Sequence, residues 1–281
     1  MAGWQRVSAM AAAKITVKNK ARSGAGTGTG ACAKSPPKSP TKMTKRTVAA
    51  PEKKASRKAG SARSVRRGPA SERLRRILDI LRDHYGEAHC ALNHRSPWEL
   101  LVATILSAQC TDVRVNLVTP ALFAAYATAA AMAAAPIEAL EALIRTTGFY
   151  HNKAKSIQGA GRVITERFAG KVPESMDDLL TVPGAARKTA NVVLGVAFGK
   201  AEGVVVDTHV FRIARRLSLA RGDSPQKVEQ ELMQGIPRDR WIQFSHELIH
   251  HGRAVCAARK PKCAECPLEA LCTARDKTWQ S

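Results

Sequence analysis

The sequence contains no apolar segment that could cross a lipid bilayer. Its longest apolar run, residues 121–135, is short and consists mostly of alanine, which suits a packed helix better than a membrane span. The extreme N-terminus is unlike a secretory signal, because basic residues follow its short apolar stretch. We therefore expect an intracellular chain that has no membrane partner.

Strand-forming patterns are also scarce. Only residues 203–206 (GVVV) resemble a strand, and four residues are too few to build a sheet. Elsewhere, apolar residues recur three and four positions apart, often with Ser, Asp or Pro at the start of the pattern and Gly at its end. The sequence predicts helices over 71–86, 97–109, 112–126, 136–148, 152–170, 175–180, 187–199, 207–217, 225–234 and 240–252. We expect an all-α fold without a repeat of fixed period, with Ser71 and Asp112 as caps of the first and third helices.

Acidic residues are almost absent from the first 70 positions. This segment holds 17 Lys and Arg but a single acid, Glu52, which leaves 28 basic and 22 acidic residues for 71–281. Large apolar side chains are too few there to form a core, so we predict that residues 1–70 are a disordered basic tail. Such a tail attracts polyanions, of which nucleic acid is the commonest. A solubilising leader without a specific partner, or an organelle transit peptide, also fits the composition.

Cysteine is sparse until the end of the chain, where four residues cluster. They are Cys256, Cys263, Cys266 and Cys272. Four thiolates so close together repel one another unless a cation holds them, which indicates a metal site in a reducing compartment and not disulfides. Zinc and an iron–sulfur cluster both accept four cysteines, and the spacing alone slightly favours zinc. The remaining thiols, Cys32, Cys90 and Cys110, have no partner pattern and are interpreted as ordinary cysteines.

The segment VPGAARKTANVV, residues 182–193, predicts a turn followed directly by a helix. Pro183 and Gly184 break the chain, and Arg187 and Lys188 fall in the first helical turn, where the helix dipole disfavours cations. Backbone N–H groups at such a helix tip bind anions. A DNA phosphate would satisfy the tip and both side chains without any contact to a base.

Lys188 is a candidate nucleophile as well as a candidate phosphate contact. A lysine amine attacks only when it is deprotonated, and the helix tip and Arg187 would favour the neutral form. Surface lysines are rarely catalytic, so the pattern alone favours the phosphate contact. Asp207, which precedes THVFRIARR, by itself indicates a helix N-cap.

Four segments together resemble endonuclease III, a family of helix-hairpin-helix DNA glycosylases. They are LSAQCTDVRVN (106–116), VPGAARKTANVV (182–193), VVVDTHVFR (204–212) and the terminal cysteine run. The resemblance covers 71–281 and implies two all-α domains. One is a six-helix domain over 90–200 with the helix-hairpin-helix, and the other combines 71–89 with 201–281. The x6-x2-x5 cysteine spacing resembles the family's loop for a [4Fe–4S] cluster, which replaces zinc as the expected cofactor.

The resemblance also implies a reaction. The lysine matching Lys188 attacks C1′ of a damaged nucleotide and displaces the base, and the resulting imine allows strand cleavage by β-elimination. The aspartate matching Asp207 stabilises positive charge on the sugar and assists proton transfer. The implied enzyme is a bifunctional glycosylase and abasic-site lyase for oxidised pyrimidines in double-stranded DNA. The alternatives are a monofunctional mismatch glycosylase, against which Lys188 argues, and a non-catalytic metal-stabilised DNA-binding protein, which needs neither Lys188 nor Asp207.

Further residues carry over from the same motifs. Gln109 matches the residue that fills the space left by the extruded base. Phe149 falls where related enzymes place an apolar wedge against the duplex, although a core phenylalanine fits the sequence equally well. His209 is expected to be structural, and Asp112 fits a helix cap better than a supporting carboxylate.

Phosphate contacts are expected at the hairpin and in the loop between the first two cysteines. The hairpin residues are Gly184, Ala186 and Arg187, and the loop residues are Lys260 and Lys262. The family's hairpin usually reads P-G-x-G, whereas this chain has Ala186 at the last position. If that position needs a positive φ, alanine costs roughly 1 kcal/mol there, and if it does not, nothing is lost. We expect a weaker or slightly reshaped grip on phosphate with intact chemistry. We expect a monomer that is cytoplasmic and nucleoid-associated, or located in an organelle or the nucleus if the chain is eukaryotic.

Overall fold

The computed structural model describes residues 69–278, with side chains from residue 72 onward, and within this range the chain is helical without a strand. The α-helices are α1 (Pro69–Tyr85), α2 (Pro97–Leu106), α3 (Asp112–Ala125), α4 (Ala129–Ala134), α5 (Ile137–Ile144), α6 (Tyr150–Phe168), α7 (Met176–Leu180), α8 (Arg187–Phe198), α9 (Thr208–Arg216), α10 (Pro225–Gly235) and α11 (Trp241–Ala254). Short 3-10 turns cover Arg145–Thr147, Arg238–Arg240, Cys263–Glu265 and Glu269–Leu271. The predicted all-α class is confirmed. The predicted disordered tail lies outside the described residues, apart from residues 69 and 70, which are helical.

Some helix boundaries differ from those predicted. α1 begins at Pro69, two residues before the expected cap at Ser71. α2 ends at Leu106, because the chain turns there and Gln109 adopts a left-handed conformation with φ of 52°. The alanine-rich run 121–135 is divided between two helices, α3 and α4, with a turn between them. The helix predicted over 112–126 ends at the observed break to within one residue, whereas α4, which Thr128 caps by accepting a hydrogen bond from Ala131 N, was not predicted as a separate helix.

Two hydrophobic clusters lie within the described part of the chain. The first is formed by α2 to α8 and includes the fully buried Leu100, Met132 and Ile157. The second packs α1 against α9, α10 and α11, and it includes Ile77 and Phe244. The apolar face of α1 supplies this second cluster, as its spacing predicts. The assignment of 90–200 and of 71–89 with 201–281 to separate domains stays a prediction.

The helices α8 and α11 approach each other closely. A Cβ atom added at Gly195 of α8 would lie 3.1 Å from Cγ1 of Ile242 in α11. This contact brings a helix of the first cluster beside a helix of the second, next to the site described below. No helix in the described range is long and apolar enough to cross a membrane.

Candidate active site

The predicted hairpin is a tight turn between α7 and α8. Gly184 has φ of 81°, a conformation that favours glycine. A Cβ atom there would lie 3.0 Å from Ser156 Cβ and 3.2 Å from Ile105 Cγ2. Ala185 N donates to Val182 O at 3.0 Å. Because no side chain among the described residues caps α8, the N–H groups of its first turn are left for an external anion.

Ala186, the N-cap of α8, has an ordinary extended backbone. Its φ is −74° and its ψ is 169°, which any residue adopts. Of the two cases considered for alanine at this position, the one without a conformational cost therefore applies. The backbone of Ala186 gives no reason to expect a weaker grip on phosphate.

The two cations of the first turn of α8 differ in their surroundings. Lys188 is exposed and makes no hydrogen bond or ion pair within the described part of the chain. Arg187 Nε donates to both carboxylate oxygens of the buried Glu229, at 3.0 and 3.1 Å, and Asn191 Nδ2 donates to the same carboxylate at 2.9 Å. Glu229 thus offsets the charge of Arg187. The expectation that Lys188 is neutral relied in part on that charge. Contact of Arg187 with DNA stays a prediction.

Asp207 is the N-cap of α9, as the sequence predicted. Its Oδ1 accepts hydrogen bonds from the backbone N–H groups of His209 and Val210, both at 2.8 Å. Its Oδ2 has no partner among the described residues, so the carboxylate caps the helix and still has a second oxygen for chemistry. The ring of His209 lies 3.3 Å from the guanidinium of Arg212, in keeping with a structural role.

Lys188 and Asp207 line the same open pocket, which has a volume of about 770 Å³ including its mouth. Lys188 comes from α8 and Asp207 from the loop that enters α9. The helix α11 forms another wall through Ile242, His246, Ile249, His250 and Arg253. The structure therefore places the two predicted catalytic residues at one site, and their roles stay a prediction.

Other polar residues of this pocket were missed by the sequence analysis. Ser107 follows α2, Asn191 is buried on α8, and Arg253 forms an ion pair with Asp112. Asp112 is not the cap of α3 as expected, because Thr111 occupies that position and Asp112 is the first helical residue. No local spacing links these residues, since tertiary packing alone brings them together.

Gln109, Phe149 and Gly184 share one shallow depression on the surface. Phe149 is 65% exposed, which excludes the core interpretation. Gln109 and Phe149 both have left-handed backbones, with φ of 52° and 48°. The turn before Phe149 is held by the buried Lys153, whose Nζ donates to Thr147 O at 2.8 Å. The structure brings together three of the predicted DNA contacts, and their binding to DNA stays a prediction.

Lys260 and Lys262 are exposed in the loop between Cys256 and Cys263. Arg216 Nη1 donates to Ala257 O at 2.7 Å and so anchors the start of this loop. Lys262 Nζ lies 3.8 Å from Glu265, a long contact between exposed groups that leaves its charge largely available. Contact of both lysines with phosphate stays a prediction.

All four clustered cysteines line a second pocket of about 440 Å³. No three His, Cys, Asp or Glu side chains within the described residues lie close enough to hold a single metal ion. Zinc requires such closeness because its bonds to sulfur are about 2.3 Å long. Burial raises the pKa of Cys266 to about 11, and the three neighbouring thiols contribute to the increase. The four thiols thus share one pocket, and the cofactor that they hold stays a prediction.

Hydrogen-bond donors face the sulfur atoms of this pocket. Arg216 Nη1 lies 3.3 Å from Cys256 Sγ, and Thr278 N lies 3.4 Å from Cys263 Sγ. Such donors stabilise the negative charge of thiolate ligands. Among the other cysteines, Cys90 lines the pocket of Lys188, and burial raises the pKa of its thiol. Cys32 lies outside the described residues.

Comparison with known proteins gives consistent matches. The family model for HhH-GPD superfamily base excision DNA repair proteins matches residues 102–238. Endonuclease III of Synechocystis sp. is 56% identical over 201 residues, which are 72% of this chain and 92% of the relative. Endonuclease III of Bacillus subtilis is 47% identical over 196 residues, 69% of this chain and 89% of the relative. A non-covalent endonuclease III–DNA complex aligns with a TM-score of 0.69 at 45% identity, over 72% of this chain and 95% of that one. A trapped covalent endonuclease III–DNA intermediate aligns with the same values.

Proposed function

This chain belongs to the endonuclease III family of helix-hairpin-helix base excision repair proteins, and from that membership we propose that Lys188 and Asp207 carry out its chemistry. The chain is a DNA glycosylase and abasic-site lyase of base excision repair, and DNA is its partner. One observation supports the assignment of roles. The two residues line one pocket from different elements, and Lys188 has no protein partner within the described residues.

In the proposed reaction the neutral amine of Lys188 attacks C1′ of the damaged nucleotide. The bond from C1′ to the base breaks, and the base leaves with the bonding electrons and takes up a proton. The Oδ2 atom of Asp207 faces the positive charge that develops on the sugar and accepts a proton from the attacking amine. The bond from C1′ to the ring oxygen O4′ then breaks, O4′ takes up a proton, and the lone pair of the Lys188 nitrogen forms the imine. Loss of a proton from C2′ of this imine breaks the bond from C3′ to its oxygen, which leaves with the bonding electrons, and this cuts the strand. Hydrolysis of the imine then frees Lys188.

We propose oxidised pyrimidines as the substrate class. The base has to leave the stack to reach the pocket, which costs a few kcal/mol and favours lesions that already weaken stacking or pairing. The exposed Phe149 and the neighbouring Gln109 are suited to enter the duplex and fill the space that the base leaves.

Phosphate contacts are proposed at two places. One is the tip of α8, where the backbone at Gly184 and Ala186 leads into uncapped N–H groups beside Lys188. The other is the loop that carries Lys260 and Lys262. Arg187 would join the first site only by leaving Glu229.

We propose that Cys256, Cys263, Cys266 and Cys272 hold a [4Fe–4S] cluster. The shared pocket, the donors to sulfur and membership of the endonuclease III family support this cofactor. When bound, the cluster supplies a fixed cross-link through four thiolates, with no redox step in the reaction. Its role here is to hold the basic loop in place for DNA.

Borohydride trapping tests the proposed nucleophile. The full-length chain is mixed with a duplex that carries one thymine glycol, and borohydride reduces any imine to a stable covalent adduct. We expect an adduct with the wild-type chain and none with Lys188→Gln. Lys200→Gln is the matched control, because Lys200 is also exposed but pairs with Glu174 at 2.8 Å, so its loss should leave the adduct unchanged.

The same assay separates the alternatives. Base release without an adduct would indicate a monofunctional glycosylase. Binding with neither product across a panel of damaged bases would indicate a non-catalytic DNA-binding protein. An adduct that survives in Lys188→Gln would reject Lys188 as the nucleophile.

We also propose that the chain acts as a monomer in the cytoplasm, associated with the nucleoid. Its basic composition supports association with DNA. Sedimentation of the free chain and of its DNA complex measures the stoichiometry, and a stable dimer would contradict the proposal.

A further inference from the structure

His246 lies on a wall of the pocket that Lys188 and Asp207 share. It belongs to α11, whose pocket-lining residues are spaced three and four apart and so occupy one face of the helix. It follows Ile242 by one turn, and Ile242 is the residue that meets α8 at Gly195. A ligand that reaches Lys188 on α8 therefore enters a space bordered by His246 on α11.

His246 is unusual among the polar residues of this pocket because it lacks a hydrogen-bond partner. Most of the others contact the protein, namely Thr104, Ser107, Asp112, Asn191, Asp207, Ser245, His250 and Arg253. Within the described residues, and leaving the Cys90 thiol aside, Lys188 and His246 make no hydrogen bond or ion pair. The ring of His246 is half-buried on this wall of the pocket. Its donor and acceptor are therefore available to a ligand.

The imidazole of His246 is neutral under ordinary conditions. Burial lowers its pKa to about 4, and the nearby His250 and His89 contribute to the decrease. A neutral imidazole offers one N–H donor and one nitrogen acceptor, and either nitrogen can carry the proton. The pairing edge of thymine and of thymine glycol alternates carbonyl oxygens with an N–H group, so an imidazole can bond to it in either tautomer.

We propose that His246 hydrogen-bonds the extruded base and so acts specifically in base excision. The inference rests on the proposed function, since it requires a base to enter the pocket of Lys188. An abasic nucleotide has no base to contact. His246 therefore contributes to base excision and not to cleavage of a strand that already contains an abasic site.

Two single-turnover assays with the full-length chain test this role. One follows base release from a duplex with a single thymine glycol, and the other follows cleavage at a preformed abasic site. His246→Phe keeps an aromatic ring without a hydrogen-bonding group, and the loss of one such bond should slow base release about tenfold. Cleavage at the abasic site should be unchanged. His246→Gln, which keeps a donor and an acceptor, should recover most of the lost rate.

His84→Phe is the matched control, because His84 is exposed on α1 and lies outside the pocket, and it should change neither reaction. Thermal melting checks that each variant folds, and His246→Leu replaces the Phe variant if that variant unfolds. Base release at the wild-type rate in His246→Phe or His246→Leu would overturn the inference. Parallel loss of both reactions would overturn it too, because it would indicate general support of the site. A wild-type chain inactive on both duplexes would instead refute the proposed function, and the role of His246 with it.

Discussion

At the scale of single residues, Gly184 and Ala186 have opposite requirements although they are two positions apart. Glycine is required at Gly184 for two reasons, because φ is positive there and because an added Cβ atom would approach Ser156 closely. Ala186 needs neither, since its backbone is extended. The shape of the hairpin therefore depends on the first position and tolerates a side chain at the second.

We predict that Gly184→Ala lowers the free energy of unfolding by about 1 to 2 kcal/mol, because alanine disfavours the left-handed region. The displaced turn should also weaken binding to undamaged duplex. Ala186→Gly is the matched control, and its DNA affinity should equal that of the wild type. Denaturant unfolding and fluorescence anisotropy measure the two effects. Tighter binding by Ala186→Gly would show that alanine does weaken the grip on phosphate.

Motifs that are contiguous in the sequence identified Lys188 and Asp207, and the structure places both in one pocket. Contiguous motifs could not identify Glu229 as the partner of Arg187, because Glu229 lies 42 positions away on another helix. His246 was missed for the same reason. A histidine within a helix gives no local signal of the pocket that its face borders.

At the scale of elements, periodicity predicted most helices because one face of each is buried in a hydrophobic cluster. It predicted the end of α3 to within one residue, but it missed α4 and the end of α2 before Gln109. The start of α4 does have a local signal, because Thr128 caps the helix by accepting a hydrogen bond from Ala131 N. Elements are also joined by single contacts. The contact of Arg187 with Glu229 fixes the first turn of α8 to α10.

We predict that Glu229→Gln loosens that turn. Loss of the buried carboxylate should lower the free energy of unfolding by about 1 to 2 kcal/mol, a value reduced because Arg187 is partly exposed. Cleavage at a preformed abasic site should slow, because Lys188 adjoins Arg187. Arg187, once released, should add one phosphate contact, which steepens the salt dependence of DNA binding by about one unit.

Glu202→Gln is the control for this prediction. Glu202 forms an ion pair with Arg238 at 3.1 Å, and both side chains are exposed. Its loss should change stability by less than about 1 kcal/mol and leave cleavage unaffected. Equal effects of the two substitutions would show that the link between α8 and α10 has no special role.

At the scale of the whole molecule, the cysteine pocket joins distant parts of the chain. Arg216 of α9 contacts the loop between Cys256 and Cys263, and Arg73 of α1 donates to Leu217 O at 2.8 Å and to Leu271 O near the last cysteine. Helices from the start and the end of the described range thus meet around the four thiols. None of these links follows from the cysteine spacing, which predicted only the ligands.

We predict that removal of the cluster weakens both the fold and DNA binding. Without the cluster the four cysteines are no longer cross-linked, so the basic loop between Cys256 and Cys263 is no longer held. Chelation of iron should lower the melting temperature and reduce affinity for duplex DNA, with iron and sulfide analysis measuring the loss. Cys110→Ala, which removes a thiol outside the pocket, should change neither. Full stability and affinity in an iron-free chain would reject the structural role.

The lack of a protein partner for Lys188 has a consequence outside DNA repair. An exposed amine in an open pocket can condense with small aldehydes as well as with an opened sugar. We therefore expect added aldehydes to compete with damaged DNA for the free enzyme, whereas a bound duplex covers the amine.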